Sequence, residues 1–402
     1  MSEPLRLAER LSDIQPSATV AITQRARELR AEGVDVLSFS MGEPDFDTPA
    51  HIREAAKAAI DAGATRYTAA RGTLELREAI CKVSAERRGG HAHDPAEVVV
   101  GVGAKHILFN LALALFDPGD EVIVPAPYWV SYPEQVRMAG ATPVVVETHV
   151  DEGFLLTPSA LEDAVTSKTK ALILCSPSNP TGSAYRASDL EAIAAVARKH
   201  RFWIIVDEIY AQLVYEGFDQ RSILEIAPDL RDRIILVDGV SKTYAMTGWR
   251  IGWMLGPKQV AKACDTLQGQ ETSNAAAVSQ AASRAALLGS QAPVEQMRKA
   301  FEERRDVMVD GLNAIDGIDC RVPEGAFYAF PSVRGLLGRR AGKLTLDDDL
   351  AVAKFFLETA RCAVVPGTAF GAPGFMRLSY AAGTETLRAG LSRIAEAVRT
   401  LA

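Results

Sequence analysis

Lys242 stands just after the apolar run RIILVDGV and eight residues before Arg250. A lysine at the end of a buried strand can be desolvated, which lowers its pKa and makes its amine a nucleophile toward a carbonyl. Most lysines near strand ends simply reach water, so the position alone decides little. Arg250 adds a fixed charge that depresses the amine further and offers a planar fork for a phosphate. The turn Gly101-Val102-Gly103 opens a helix at Ala104 and Lys105 and supplies free backbone N–H groups to the same phosphate. A GxG turn taken alone is an ordinary tight turn. Asp207, at the end of FWIIVD, is costly to bury without a cation, and a protonated ring nitrogen is one such partner. Asn179 and Tyr210 offer donors to a ring oxygen, and Trp129 offers a face for stacking. Singly these are a turn Asn, a core Tyr and a buried Trp. Together they describe a site for an aromatic aldehyde with a phosphate arm. Pyridoxal 5′-phosphate (PLP) is that molecule, with Lys242 as the Schiff-base lysine and Asp207 on the pyridinium nitrogen.

These residues fall just past apolar runs, where an α/β sheet holds its ligand. Candidate strands are 97–103, 121–127, 141–147, 171–177, 202–210, 233–240 and 250–256. Most are continuous Val/Ile/Leu runs, as strands covered on both faces are. Helical patterns lie between them, including 104–116, 187–200 and 258–288. The alternation predicts an α/β fold, with a large domain over 48–290 built on a mostly parallel seven-stranded sheet flanked by helices. The flanks differ: a helical segment at 13–32, the strand-like VLSFS, a charged helix at 295–315, then GAFYAFP, CAVVP, RLSY and a terminal helix. They predict a smaller α+β domain assembled from 1–47 and 291–402.

The 402 residues hold 44 Lys and Arg against 51 Asp and Glu, a formal charge of −7, with 48% hydrophobic and 24% charged residues. That balance excludes a disordered or fibrous chain and leaves no basic footprint for nucleic acid or an anionic membrane. No apolar run approaches the ~18–20 residues that span a bilayer. The first residues are amphipathic and partly acidic, with no apolar stretch or small-residue cleavage site, so a soluble cytoplasmic protein is expected. Cys81, Cys175, Cys264, Cys320 and Cys362 form no CxxC pair, which agrees. Cys175, inside ALILCSP, is expected to be a small buried hydrophobe. His91-Ala92-His93 has no matching Cys or carboxylate cluster and is expected to form a solvated loop, with no metal.

The chain resembles the class I aminotransferases of the fold type I PLP enzymes, most closely the bacterial subgroup Ib aspartate aminotransferases. The match runs nearly end to end through QPSATVA, GEPDFDTP, RYTAARG, DPGDEVIVPAPYWVSYP, SPSNPTG, DEIY, GVSKTYAMTGWRIGW, GAFY, VVPGTAFG and MRLSY. The resemblance implies that Lys242 carries the cofactor and shuttles the proton, and that Asp207 keeps the ring nitrogen protonated. Asn179 and Tyr210 then contact the ring oxygen, and Trp129 stacks. Arg250, Ser241 and the Gly103-Ala104-Lys105 turn bind phosphate, joined by Tyr67 of a second subunit. Arg377 clamps the substrate α-carboxylate with help from Asn179, Trp129 and the Gly42 backbone. Ser17, Thr19 and Lys105 read a second carboxylate. For Lys105 the plainer alternative is a solvated helix-surface lysine. A homodimer with interfacial active sites, acting on amino acids and 2-oxo acids, is implied.

Two departures stand out. Many relatives carry Ser three residues before the Schiff-base lysine, where this chain has Gly239. In 268–274, a stretch that approaches the neighbouring active site in the family, an acidic Glu271 replaces the usual neutral residue. Facing inward, it would repel a dicarboxylate. The expected activity is L-aspartate plus 2-oxoglutarate giving oxaloacetate plus L-glutamate, by a ping-pong mechanism. The rivals are a prephenate, aromatic or alanine aminotransferase, or a PLP-dependent β-lyase on the same scaffold. A regulator built on this scaffold needs a DNA-binding module, and no spare segment or basic helix supplies one.

Overall fold

The seven apolar runs form seven strands: β1 (Val98–Gly101), β2 (Glu121–Ala126), β3 (Thr142–Glu147), β4 (Thr169–Cys175), β5 (Trp203–Asp207), β6 (Ile234–Gly239) and β7 (Gly252–Leu255). This computed structural model describes residues 7–16 and 18–402, apart from the side chains at 9, 10, 18 and 19. The strands make one sheet in the order β1-β7-β6-β5-β4-β2-β3. Every pairing is parallel except those of β7, which runs antiparallel to both its neighbours.

Period-two side-chain alternation explains the continuous apolar runs. Leu172, Ile204, Val206 and Leu236 enter one core cluster, while Ile173, Ile205, Ile235 and Val237 enter a second on the other face. Each such side chain contributes roughly 1.5–3 kcal/mol by leaving water. Helix Ala104–Leu115 supplies Ile107, Leu108 and Leu111 to one cluster, and helix Ala187–His200 supplies Leu190, Ile193 and Ala197 to the other.

The pattern at 258–288 is two helices, Lys258–Glu271 and Ala277–Leu288. Between them Ser273 takes a left-handed φ of 56°, with its N–H on the Gln268 carbonyl. The turn-forming Ser273-Asn274 pair closes the first helix despite apolar periodicity on either side. The 295–315 helix spans Ala292–Asn313, and the 13–32 segment contains helix Ala18–Ala31.

The two chain ends meet. Leu37–Ser38 pairs in parallel with Cys362–Ala363, and Met376–Ser379 lies between Val365–Pro366 and Tyr328–Ala329. Two expectations are corrected. The His93 ring is 3% exposed and lies against Glu97 and Arg231, so it is tucked under a side-chain cluster and not solvated. Burial, reinforced by Arg231, pushes its pKa down to about 4. Cys175 is half-buried at the end of β4 and not enclosed in the core.

Behind the ends of β5 and β6 lies an ion network that the sequence did not announce. Arg88 donates to Glu208 at 2.7 Å and to Asp238 at 2.9 Å, and all three side chains are buried. Ser222 adds a hydrogen bond to Glu208, and the Gly239 N–H adds one to Asp238. Removing the cation would strand two buried carboxylates. Arg88→Met is therefore expected to cost about 3–5 kcal/mol and to lower the Tm measured by circular dichroism. The triple variant Arg88→Met, Glu208→Gln, Asp238→Asn should recover part of that loss.

Candidate active site

The carboxyl ends of β2, β4, β5 and β6 open into a cavity of about 280 Å³. Gly42, Ala104, Lys105, Trp129, Asn179, Asp207, Tyr210, Ser241, Lys242, Arg250 and Arg377 all line it. Eleven of the positions singled out in the sequence thus converge on one space. Gly103 adjoins it, because a Cβ there would lie 2.5 Å from Arg250 Nη2. Tyr67 does not converge: it is 91% exposed on the surface of this chain. Ser17 and the side chain of Thr19 lie outside the described residues.

Lys242 follows β6 by three residues, and its Nζ donates to the Gly42 carbonyl at 2.5 Å. Burial holds the amine below the usual lysine range, at about 8, with Glu43 opposing and Arg250 and Arg377 adding to the effect. Desolvation therefore outweighs the neighbouring cations in setting its reactivity. Asp207 is the last residue of β5 and 4% exposed. Burial pushes its carboxyl up to about 6, against donors from Tyr132 Oη at 2.8 Å and the Ile209 N–H at 3.1 Å. Among the described residues no Lys or Arg forms an ion pair with it.

Arg377 sits in the middle of strand Met376–Ser379 at 2% exposure. Its Nη1 donates to Asn179 Oδ1 at 2.9 Å and its Nη2 to the Ser40 carbonyl at 2.6 Å. The guanidinium lies 4.8 Å from the Tyr328 ring centroid and 5.0 Å from that of Phe370. Its Nε has no hydrogen-bond partner, and no carboxylate pairs with it among the described residues. A buried, unpaired guanidinium facing a cavity is a receptor for an anion. Lys105, in the first turn of helix Ala104–Leu115, holds its amine 4.8 Å from the Trp129 ring centroid. Burial, then Arg250, lowers its pKa. It lines the pocket while remaining solvent-exposed.

The phosphate-sized end of the pocket is shaped by glycine. A Cβ at Gly252 would lie 2.2 Å from the Ala104 nitrogen, so β7 can approach the turn only without a side chain there. Gly239 is equally confined: a Cβ would lie 2.9 Å from the Ile251 carbonyl and 3.0 Å from Ile209. A serine Cβ placed on this backbone would be crowded by that carbonyl and by Ile209. Glu271 does not line the cavity; its carboxylate lies 3.1 Å from His106 Nε2.

Three site residues escaped the sequence reading. Tyr132 follows Trp129 by one turn and reaches Asp207. Tyr328, in the quoted GAFY, bonds Tyr210 Oη at 2.9 Å and underlies Arg377. Glu43, in GEPDF, accepts from Thr247 at 2.8 Å and acts on Lys242. Their proximity to quoted motifs was the available signal. A larger cleft of about 480 Å³ lies over Arg88, Arg221 and Arg298, but each of those guanidiniums faces two carboxylates. Arg87, which also lines it, is half-buried and already donates to Tyr244 and Gln291, so no buried guanidinium there is left without a partner among the described residues.

Comparison with known proteins agrees with this geometry. The family model "Aminotransferase class I and II" matches residues 34–394. An aspartate/prephenate aminotransferase of Cereibacter sphaeroides is 48% identical over 390 residues, covering 96% of this chain and 97% of the relative. An aspartate aminotransferase of Geobacillus stearothermophilus is 48% identical over 97% of this chain and 98% of its own. The crystal structure of the Rhizobium meliloti aspartate aminotransferase superposes with a TM-score of 0.96 at 44% identity, covering 99% of this chain and 100% of that one. The chain belongs to the class I and II aminotransferases.

Proposed function

We propose that this chain is an aspartate aminotransferase, moving the amino group of L-aspartate to 2-oxoglutarate to give oxaloacetate and L-glutamate in two half-reactions. The observation that carries this reading is a pair of cations, the buried Arg377 and the solvent-accessible Lys105, that have no ion-pair partner among the described residues and share one cavity with the desolvated Lys242. A dicarboxylate brings one anion for each. Glu271, turned to His106, removes the sequence-based objection within this chain.

Two observations support PLP as the cofactor. Glycine at 103 lets the turn approach the Arg250 guanidinium more closely than any side chain would allow, so backbone N–H groups and a guanidinium share one wall, and Asp207 is a buried carboxylate with no ion-pair partner among the described residues. When bound, PLP supplies an electrophilic carbonyl for the amino group and an electron sink for the charge left at Cα. Ser241, Arg250 and the N–H groups of Ala104 and Lys105 would hold the phosphate. Asp207, steadied by Tyr132, would keep a proton on the ring nitrogen. Tyr210 and Asn179 would face the ring oxygen, and Trp129 would cover one ring face. Arg377 would fix the α-carboxylate, setting the Cα–H toward Lys242. The Lys242 amine, poised near neutrality, would take the Cα proton and return it.

The reading extends to a cytoplasmic homodimer in which the exposed Tyr67 completes the partner's phosphate site. All five cysteines are free, which supports a reducing compartment. It also divides the chain into a large domain at 48–290 and a small one at 1–47 and 291–402. A specific observation favours prephenate as an additional substrate. A space of about 410 Å³ beside Gly42 is bounded by Val20, Gln24, Lys242, the acidic Glu43 and an exposed Arg27 that has no ion-pair partner among the described residues, so two cations there outnumber one carboxylate. It could take the second carboxylate and ring of a bulkier oxo acid.

Only the neutral amine attacks a carbonyl, so uptake of PLP by the cofactor-free protein should quicken as pH rises through about 8 and level above it. Stopped-flow absorbance between about pH 6.5 and 9.5, a window that brackets that value and lies below the ordinary lysine pKa of about 10.4, checks this. Lys242→Ala should abolish turnover while the protein keeps its fold. Presenting the loaded enzyme with single donors tests the substrate: aspartate and glutamate should discharge the cofactor's visible band, and alanine should do so slowly. Lys105→Ala should raise KM for aspartate about tenfold, with less than about a twofold change for alanine. Equal effects on both donors would exclude Lys105 as the reader of the second carboxylate. Tyr132→Phe should lower kcat about three- to tenfold with KM for aspartate little changed in steady-state assays, because Asp207 loses a donor and ionises less readily.

A further inference from the structure

Helix Lys258–Glu271 ends on a carboxylate, a position that the helix dipole disfavours. Glu271 Oε2 lies 3.1 Å from Nε2 of His106, in the first turn of helix Ala104–Leu115. The other ring nitrogen, Nδ1, accepts the Val102 backbone N–H at 3.1 Å. A backbone N–H only donates, so Nδ1 carries no proton; Nε2 carries it and donates to Glu271. The imidazole is therefore held at both nitrogens, with its side chain 13% exposed.

The backbone that His106 grips is the turn 101–104. Gly101 makes room for the ring, since a Cβ there would lie 2.9 Å from Nδ1. The turn has glycine at 101 and 103, so only Val102 and Ala104 hold it by side-chain packing, and both are only partly buried. Arg250 reaches the Val102 carbonyl from the opposite side at 3.4 Å, a long contact. The His106 bond is thus the tighter of the two side-chain restraints on Val102. It fixes the direction of the Ala104 and Lys105 N–H groups, which have no intrahelical acceptor.

We propose that Glu271, acting through His106, is a positioning residue for the anion-binding turn at 102–105 and does not read substrate charge. The inference rests on the PLP reading of the site.

The test uses pyridoxamine 5′-phosphate, which binds without a covalent link to Lys242 and so reports the phosphate cradle. Its affinity for the parent protein, Glu271→Ala, Glu271→Gln, His106→Ala and the double variant Glu271→Ala, His106→Ala is measured by equilibrium dialysis with fluorescence detection. The Tm of each cofactor-free protein is measured alongside. Glu271→Ala and His106→Ala should each weaken binding about tenfold. Glu271→Gln, which still accepts from Nε2, should stay within about twofold, and the double variant should be no weaker than His106→Ala alone. Cofactor-free Tm values should be unchanged. Parent-like affinity in Glu271→Ala overturns the proposal, as does a fall in cofactor-free Tm that tracks the affinity loss. A raised KM for aspartate with unchanged cofactor affinity also overturns it and returns Glu271 to the substrate. A parent protein that takes up neither PLP nor pyridoxamine phosphate would instead sink the cofactor reading itself.

Discussion

The buried guanidinium of Arg377 draws the molecule together. It comes from a strand near the C-terminus, bonds the Ser40 carbonyl near the N-terminus, and bonds Asn179 in the loop after β4. Desolvating a charge without a counter-ion is costly, and the fold accepts that cost with only neutral acceptors and two ring faces beside it. The arrangement becomes favourable when a carboxylate arrives. Anion affinity is thus written into the fold as an unmet electrostatic demand, and three distant parts of the chain must meet to create it.

The same economy of charge governs the rest of the pocket. Lys242 and Asp207 are both held away from their ordinary ionisation, one downward and one upward, by burial more than by neighbours. Asp207 can stay free of a cation because the adjacent carboxylates, Glu208 and Asp238, are neutralised separately by Arg88. Without that arginine, three buried carboxylates would compete for protons at the ends of two adjoining strands. The network behind the site therefore protects the ionisation state of the residue in front of it.

Glycine sets the geometry at the other end. Gly103, Gly239 and Gly252 bring β6, β7 and the turn before helix Ala104–Leu115 to distances that no side chain allows. At 239 the space that a Cβ would need is narrowed by the Ile251 carbonyl and Ile209. Backbone N–H groups and Arg250 are left as the chief anion donors there, which makes the orientation of that turn more consequential.

The amino-acid sequence determined the sheet and most of the site, because both rest on local signals. Continuous Val/Ile/Leu runs identify strands buried on both faces, and the polar residues just past them must gather at the carboxyl edge of a parallel sheet. Lys242, Asp207, Asn179 and Arg250 were legible for that reason. The break at Ser273 was not read, because apolar periodicity resumes beyond the polar stretch 268–274 and the left-handed backbone that separates the helices shows only in the structure. His93 read as solvated because the shelter of Arg231 comes from 138 residues away. Tyr132, Tyr328 and Arg88 were silent for the same reason: a tyrosine or arginine in a helix or strand shows nothing of its partner until the chain closes. Tertiary structure alone decided which way Glu271 points, since a carboxylate at a helix end can face a neighbouring pocket or an imidazole on the next helix. Burial and hydrogen-bond partners are properties of the packed chain, and ionisation follows from them, so residue type and spacing name the candidates while packing assigns their charge.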